Sequence, residues 1–269
     1  MNRDTSWKRV IQNLSPNLFE FMKLTYQKRQ GIGKYAFPEN LSVLDDLQVK
    51  YGYESDLALI YASNKGPVVH KWHHYIPIYE NHFNKFKGKQ VRFLELGVSR
   101  GGSLRMWREY FGTNAVIFGI DIDPACAKIS GVDAQIRIGS QDDPVFLKSV
   151  IDEMGGIDIV LDDGSHRMRH ISESLKHLFP KLEDGGLYVI EDLHTAYWRS
   201  YQGGYYSKRN FFRTVGQLID DMHSWYHRIG KKLPLVSGCL IGIHIYDSIV
   251  VLDKGTVQTP THSRIGGRS

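Results

Sequence analysis

The stretch Val91-Arg92-Phe93-Leu94-Glu95-Leu96-Gly97-Val98-Ser99-Arg100-Gly101-Gly102-Ser103 changes character twice within a few residues. Val91–Leu96 is rich in apolar residues, as a buried strand is, and Gly97–Gly102 is a glycine turn. Ser103–Phe111 then has helical spacing and leads into a second apolar run, Ala115–Asp121. Strand, turn, helix and strand in that order predict a parallel, doubly wound α/β sheet.

The same alternation continues along the chain. Further strands are expected at Ala134–Ile138, Ile157–Leu161 and Leu187–Ile190, with helices at Val145–Glu153 and Met168–Leu178 between them. Phe211–Arg228 has helical length, and Cys239–Tyr246 with Ile249–Asp253 reads as an antiparallel pair turning near Asp247-Ser248. Seven strands result. Residues 1–88 carry helix-like stretches, Val10–Arg29 and Leu57–Ala62 among them, and no strand alternation, so a mostly helical N-terminal appendage is expected there. The organisation expected is thus an appendage (1–88) that contributes to the active-site cover, an α/β domain (89–255) and a polar, Gly- and Ser-containing tail (256–269).

Composition excludes several classes. The chain has 269 residues and only two cysteines, Cys126 and Cys239, so neither a disulfide framework nor a cysteine zinc site is expected, and a reducing, cytoplasmic setting is the simplest reading. No apolar run approaches the ~20 residues needed to span a bilayer. The formal net charge of +5 suits an anionic partner, but the basic residues are scattered, and pairs such as Lys208-Arg209 and Lys231-Lys232 read as solvated faces rather than a nucleic-acid surface.

Chemistry concentrates at two strand ends. Asp162-Asp163-Gly164-Ser165-His166 follows the Ile157–Leu161 run, and Glu191-Asp192-Leu193-His194 follows Leu187–Ile190. Ligands of open α/β sheets bind at the carboxyl ends of strands. If the two strands are neighbours, Asp163, Glu191 and Asp192 converge, and their mutual repulsion calls for a divalent cation, Mg2+ or Mn2+ rather than zinc given all-oxygen ligation. The competing reading makes some of these acids helix caps.

A cofactor signal accompanies them. The turn from Glu95 through Gly97 and Ser99 to Ser103 lets backbone approach a ligand, although its spacing departs from the dinucleotide fingerprint. Asp121, in Gly119-Ile120-Asp121-Ile122-Asp123-Pro124, stands where ribose hydroxyls would lie, while Asp123 suits a cap before Pro124. Ser140 and Gln141 address an adenine edge or cap the helix beginning near Pro144. The histidines of Val69–Tyr75 do not make an H-E-x-x-H zinc motif; His70 and His74, at i and i+4, are expected on an aromatic helix facing substrate. Tyr197-Trp198 and Tyr201–Tyr206, with Gly203-Gly204, form an aromatic loop suited either to closing over a sugar ring or to a surface connection.

This run of residues, from Glu95 through Asp121, Ser140-Gln141 and Asp163 to Glu191-Asp192, resembles the class I S-adenosylmethionine-dependent methyltransferases, whose Rossmann-like sheet has seven strands. More narrowly it is similar to the metal-dependent sugar O-methyltransferases of macrolide tailoring, the mycinamicin and demethylmacrocin type, with their cephalosporin-hydroxylase-like branch. The resemblance spans about residues 57–253 and includes Asn64-Lys65 and His74-Tyr75 through Tyr79, Glu80 and His82. The family's Gly-Thr-Asp-Lys pattern stands here as Ala62-Ser63-Asn64-Lys65.

The resemblance implies an O-methyltransferase acting on a sugar hydroxyl of a glycoside, nucleotide sugar or surface glycan, with S-adenosyl-L-methionine and Mg2+ as cofactors. It implies that Glu95, Gly97, Ser99, Ser103, Asp121, Asp123, Ser140, Gln141 and Asp162 surround the cofactor, with the methionine part at Gly97, the ribose at Asp121 and the adenine at Ser140 and Gln141. Asp163, Glu191 and Asp192 would bind the metal, with Asp162 the alternative to Asp163, and His166 would be the general base. A homo-oligomer is expected as well. Two other readings remain open: a cephalosporin-hydroxylase-like tailoring protein and a non-catalytic cofactor-binding module.

Overall fold

The computed structural model describes residues 32–228, 236 and 238–267, so the helix expected at Val10–Arg29 lies outside the described residues. The chain divides into two compact units, 1–45 and 46–269. In the first, a 3-10 turn covers Ile32–Tyr35. Helix α1 (Val43–Tyr51) crosses the boundary. The second unit opens with α2 (Asp56–Ala62) and α3 (Tyr75–Phe83), so these helices fall in the same unit as the sheet.

The sheet has seven strands: β1 (Arg92–Leu96), β2 (Val116–Asp121), β3 (Gln135–Ile138), β4 (Ile157–Asp162), β5 (Leu182–Ile190), β6 (Leu240–Tyr246) and β7 (Ile249–Lys254). Their order is β3-β2-β1-β4-β5-β7-β6. The first five are parallel, and β7 runs antiparallel to both neighbours, as the hairpin pattern around Asp247-Ser248 predicts. Helices α4 (Gly102–Phe111), α5 (Pro144–Met154) and α6 (Met168–Leu178) make crossovers, and α7 (Phe211–Met222) precedes the hairpin.

The crossover helices form where the sequence supplies both an apolar stripe and a stop. Pro144 at the first turn, the Asp143 cap on the amides of Val145 and Phe146, and Gly155 at the left-handed end delimit α5. Its Leu147, Val150, Ile151 and Met154 join Ile171, Leu175 and Leu178 of α6 in the core on one side of the sheet. An aromatic cluster, Tyr79, Phe83, Phe93, Trp107 and Phe111, packs α3 and α4 with β1. Helix α7 ends at Met222 rather than continuing to Arg228. Its buried stripe, Phe211, Val215 and Leu218, has no apolar continuation in Ser224–Arg228 that is buried.

Strand register positions the site. Leu96 pairs with both Ile120 and Asp162, and Asp162 pairs with Ile190, so β2, β1, β4 and β5 end level. The ladder continues one step further: Asp163 N–H donates to the Leu96 carbonyl at 3.0 Å and Glu191 N–H to the Asp162 carbonyl at 3.0 Å. The chain order reverses between β1 and β4, which is where ligands bind in sheets of this kind. Two glycines permit the close approach. Gly97 has φ +96°, and a Cβ there would overlap the Asp163 carbonyl. Gly102, at the start of α4, faces the carbonyls of Pro67 and Val68, which a Cβ would likewise overlap.

Candidate active site

Successive residues past a strand point to opposite faces, and the two aspartates after Leu161 are separated that way. Asp162 is buried. Its carboxylate accepts from Ser174 Oγ at 2.6 Å, Gln141 Nε2 at 3.0 Å and the Tyr188 hydroxyl at 3.1 Å. Burial pushes its carboxyl up, and these donors pull the other way. Asp163 faces the other side, where it meets His166, Asp192 and Lys71.

Ligand atoms from Asp163, His166 and Asp192 lie within 4.8 Å of one another. His166 Nε2 is 3.8 Å from Asp163 Oδ1 and 3.8 Å from Asp192 Oδ2. Burial acts to raise the Asp192 carboxyl, but His166, His194 and Lys71 hold it below the usual carboxylate range. The Tyr75 hydroxyl lies 3.0 Å from Asp192 Oδ1 and accepts from the Asp192 N–H at 3.1 Å. Two of the three residues in this group are non-glycines at positive φ, His166 at 53° and Asp192 at 54°. Such strain, about 1–3 kcal/mol per residue, persists where surrounding structure enforces it, and it clusters at functional sites.

Glu191, the third expected metal acid, is turned inward. Both its oxygens accept from Lys71 Nζ, at 2.9 and 2.8 Å, and Oε1 also accepts from the Tyr79 hydroxyl. Burial and the charge of Asp163 push its carboxyl up. Lys71 also bonds Asp163 Oδ2 and stands 3.9 Å from Glu95 Oε1. Burial opposes its charge, but the carboxylates of Asp163, Glu191 and Glu95 keep the ammonium protonated. Glu95 is itself fully buried, accepts from Ser103 Oγ at 2.9 Å, and is pushed up to about 7 by burial against the pull of Lys71.

The expected cofactor residues lie along the ends of β1, β2 and β3. Asp121 Oδ2 accepts from the amides of Val98 and Ser99, each at 3.0 Å, and Oδ1 from Asp123 N–H, so Asp121 shapes the glycine turn. Asp123 caps the 3-10 turn Pro124–Ile129 through Ala125 N–H. Ser140 Oγ donates to Asp142 at 2.5 Å. Both ends of the Gln141 amide are engaged by protein, Nε2 with Asp162 and Oε1 with Ser165 N–H at 2.7 Å. Gln141 thereby ties the β3 loop to the Asp-Gly-Ser-His loop.

One expectation needs correction. His70 and His74 do not share a helix, because the chain is irregular from 63 to 74 and α3 begins at Tyr75. That segment instead delivers Lys71 and Trp72 to the site, with Trp72 edge-on to His194 at 5.6 Å. In the aromatic loop, Trp198 packs on His194 and Tyr201 stands 6.3 Å from His166, whereas Tyr205 and Tyr206 are exposed. Lys71 has no motif that announces it, a lysine just after the apolar Pro67–Val69 being the available signal, whereas Tyr75 and Tyr79 lie in the segment that carries the family resemblance.

Residues 94–193 match the family model described as a methyltransferase domain. The chain carries a class I methyltransferase domain. The chain is 40% identical over 217 residues to the 8-demethyl-8-(2-methoxy-alpha-L-rhamnosyl)-tetracenomycin-C 3'-O-methyltransferase of Streptomyces olivaceus, covering 74% of this chain and 53% of that protein. It is 36% identical over 199 residues to the mycinamicin VI 2''-O-methyltransferase of Micromonospora griseorubida, covering 68% and 48%. Among solved structures, the methyltransferase MycE of the mycinamycin biosynthetic pathway, in complex with Mg and SAH, is similar at a TM-score of 0.68 and 31% identity, over 76% of this chain and 55% of that one. The chain spans about half the length of the curated relatives it matches. Among the described residues, no helix is long and apolar enough to cross a membrane.

Proposed function

We propose that this chain is a Mg2+-dependent O-methyltransferase that transfers a methyl group from S-adenosylmethionine to a sugar hydroxyl of a small-molecule glycoside. The observation that carries the reading is the convergence of Asp163, Asp192 and His166 at the reversal of strand order. The two carboxylates suit a hard divalent cation with room left for substrate oxygens, and the imidazole beside them is left to act as a base. When bound, the cation lowers the pKa of a coordinated hydroxyl and S-adenosylmethionine supplies the electrophilic methyl group. Asp163 and Asp192 would hold the cation, with Glu191 behind them.

His166 Nε2, 3.8 Å from a carboxylate oxygen on either side, is placed to accept the hydroxyl proton. The Val98–Ser99 turn, held by Asp121, would receive the methionine end of the cofactor, with Asp121 and Ser140 toward the ribose and adenine. Trp72, Trp198 and Tyr201 offer aromatic faces for a sugar ring. The named relatives that act on rhamnosyl and macrolide glycosides support this acceptor class. The free thiols of Cys126 and Cys239 suit a reducing cytoplasm, and a homo-oligomer is part of the proposal.

Calorimetric titration with S-adenosylmethionine, in Mg2+ and in EDTA, tests the cofactor reading. Micromolar binding supports it; no heat in either condition refutes it. Product mass then separates methylation from oxidation once a glycoside acceptor turns over.

A further inference from the structure

The metal reading accounts for Asp163, Asp192 and His166, but it gives no role to the cation already present. We propose that Lys71 is a positioning residue: an internal counter-ion that keeps Asp163 and Glu191 assembled in the site before a divalent cation binds. The inference rests on the proposed metal reading for its second half only.

The geometry is specific. The Lys71 side chain is 1% exposed, and its ammonium has three acceptors in reach, Asp163 Oδ2 and the two oxygens of Glu191, with Glu95 Oε1 beyond them at 3.9 Å. An ammonium has three protons, so its donors match these acceptors. Asp163 is divided by this arrangement: Oδ2 is held by Lys71, and Oδ1 is left facing His166 and the cleft. Four carboxyl groups, Glu95, Asp163, Glu191 and Asp192, surround the centre. Without Lys71, buried Glu191 would retain only the Tyr79 hydroxyl among its present side-chain donors.

The segment bearing Lys71 is also fixed in place. The Tyr61 hydroxyl donates to the Lys71 carbonyl at 3.0 Å, and the carbonyls of Pro67 and Val68 pack against Gly102 where a side chain would not fit. An irregular segment anchored at Pro67-Val68 and at the lysine's own carbonyl delivers that ammonium to a fixed point. Like charges brought together in a buried site either protonate or spread apart. A fixed internal cation prevents both, and it leaves the outward oxygens of Asp163 and Asp192 available for a second cation.

The test uses the full chain and its K71M, E191Q and K71M/E191Q variants, melted in EDTA and in Mn2+, with calorimetric Mn2+ titration alongside. In EDTA, K71M should melt about 10 °C below wild type, the scale expected for removing one partner of a buried ion pair in a protein of this size. Adding E191Q to K71M should return at least half of that loss, and Mn2+ should raise the melting point of K71M by more than that of wild type. A lysine that acts only by packing would lose the same number of degrees in every condition. An unaltered K71M, or a loss that neither E191Q nor Mn2+ reduces, overturns the proposal. If K71M is insoluble, soluble K71M/E191Q supports it and insolubility of both overturns it. Wild type that takes up no Mn2+ would remove the metal reading instead, and the EDTA comparison would still decide the role of Lys71.

Discussion

Gly97→Ala probes the link between the glycine turn and the acidic site. Gly97 has φ +96°, where an alanine costs about 1–3 kcal/mol. Its new Cβ would overlap the Asp163 carbonyl and approach Gly164, and relieving such overpacking costs about 1–3 kcal/mol more. The sum, about 2–6 kcal/mol, corresponds to a fall in Tm of roughly 5–20 °C for a protein of this size. Because the overlapped atom belongs to the backbone of Asp163, relief also moves the carboxylate that faces His166 and Asp192. A displacement of ~1 Å at a reacting centre costs on the order of 100-fold in rate. Differential scanning fluorimetry and Mn2+ calorimetry measure the two consequences separately. Gly112→Ala is the control: Gly112 has φ +90° with nothing within 4 Å of a Cβ, so it carries the strain without the collision. Gly112→Ala should melt lower but bind Mn2+ normally, while Gly97→Ala should be impaired in both. Gly97→Ala within about 2 °C of wild type, with unchanged Mn2+ affinity, would refute the reasoning.

His166→Ala should retain S-adenosylmethionine binding and lose turnover by about 10²–10⁴-fold, read from product formation with a glycoside acceptor; a full-rate variant ends its role as base. Asp162→Ala leaves Ser174, Gln141 and Tyr188 without their shared acceptor and should lower stability by about 3 kcal/mol or more, measured by urea denaturation, whereas a purely catalytic Asp162 would leave the midpoint unchanged. Burial, aided by the neighbouring His244, lowers the pKa of His82 below its ordinary 6.5. The folded state therefore binds fewer protons than the unfolded one just below pH ~6.5, and stability present above that value is lost as pH falls through the window. Tm compared across that range should show the loss, and His82→Gln should flatten it; an equally steep variant assigns the loss elsewhere.

The sequence by itself determined the architecture. Apolar runs of strand length, separated by glycine turns and amphipathic segments, placed the seven strands, because each run must be buried and each helix must cover it. It also located the acids, since residues that follow parallel strands stand at the ligand-binding edge whatever the details of packing. Local pattern fails where a residue's role depends on what faces it. Asp162 and Asp163 are chemically identical neighbours with opposite directions. Only the positions of α6 and β5 on one side and the 66–74 segment on the other made one a buried acceptor and the other a cleft-facing carboxylate. Gly97 and Gly102 read as ligand-facing glycines, yet the atoms that exclude a side chain there come from the chain's own backbone.

Lys71 is the clearest case. It has no periodicity, lies in a segment without regular structure, and stands 92 residues from Asp163 and 120 from Glu191. A buried charge is tolerated only where opposite charges meet it, and sequence does not disclose which distant residues those are until the sheet brings β1, β4 and β5 to a common edge.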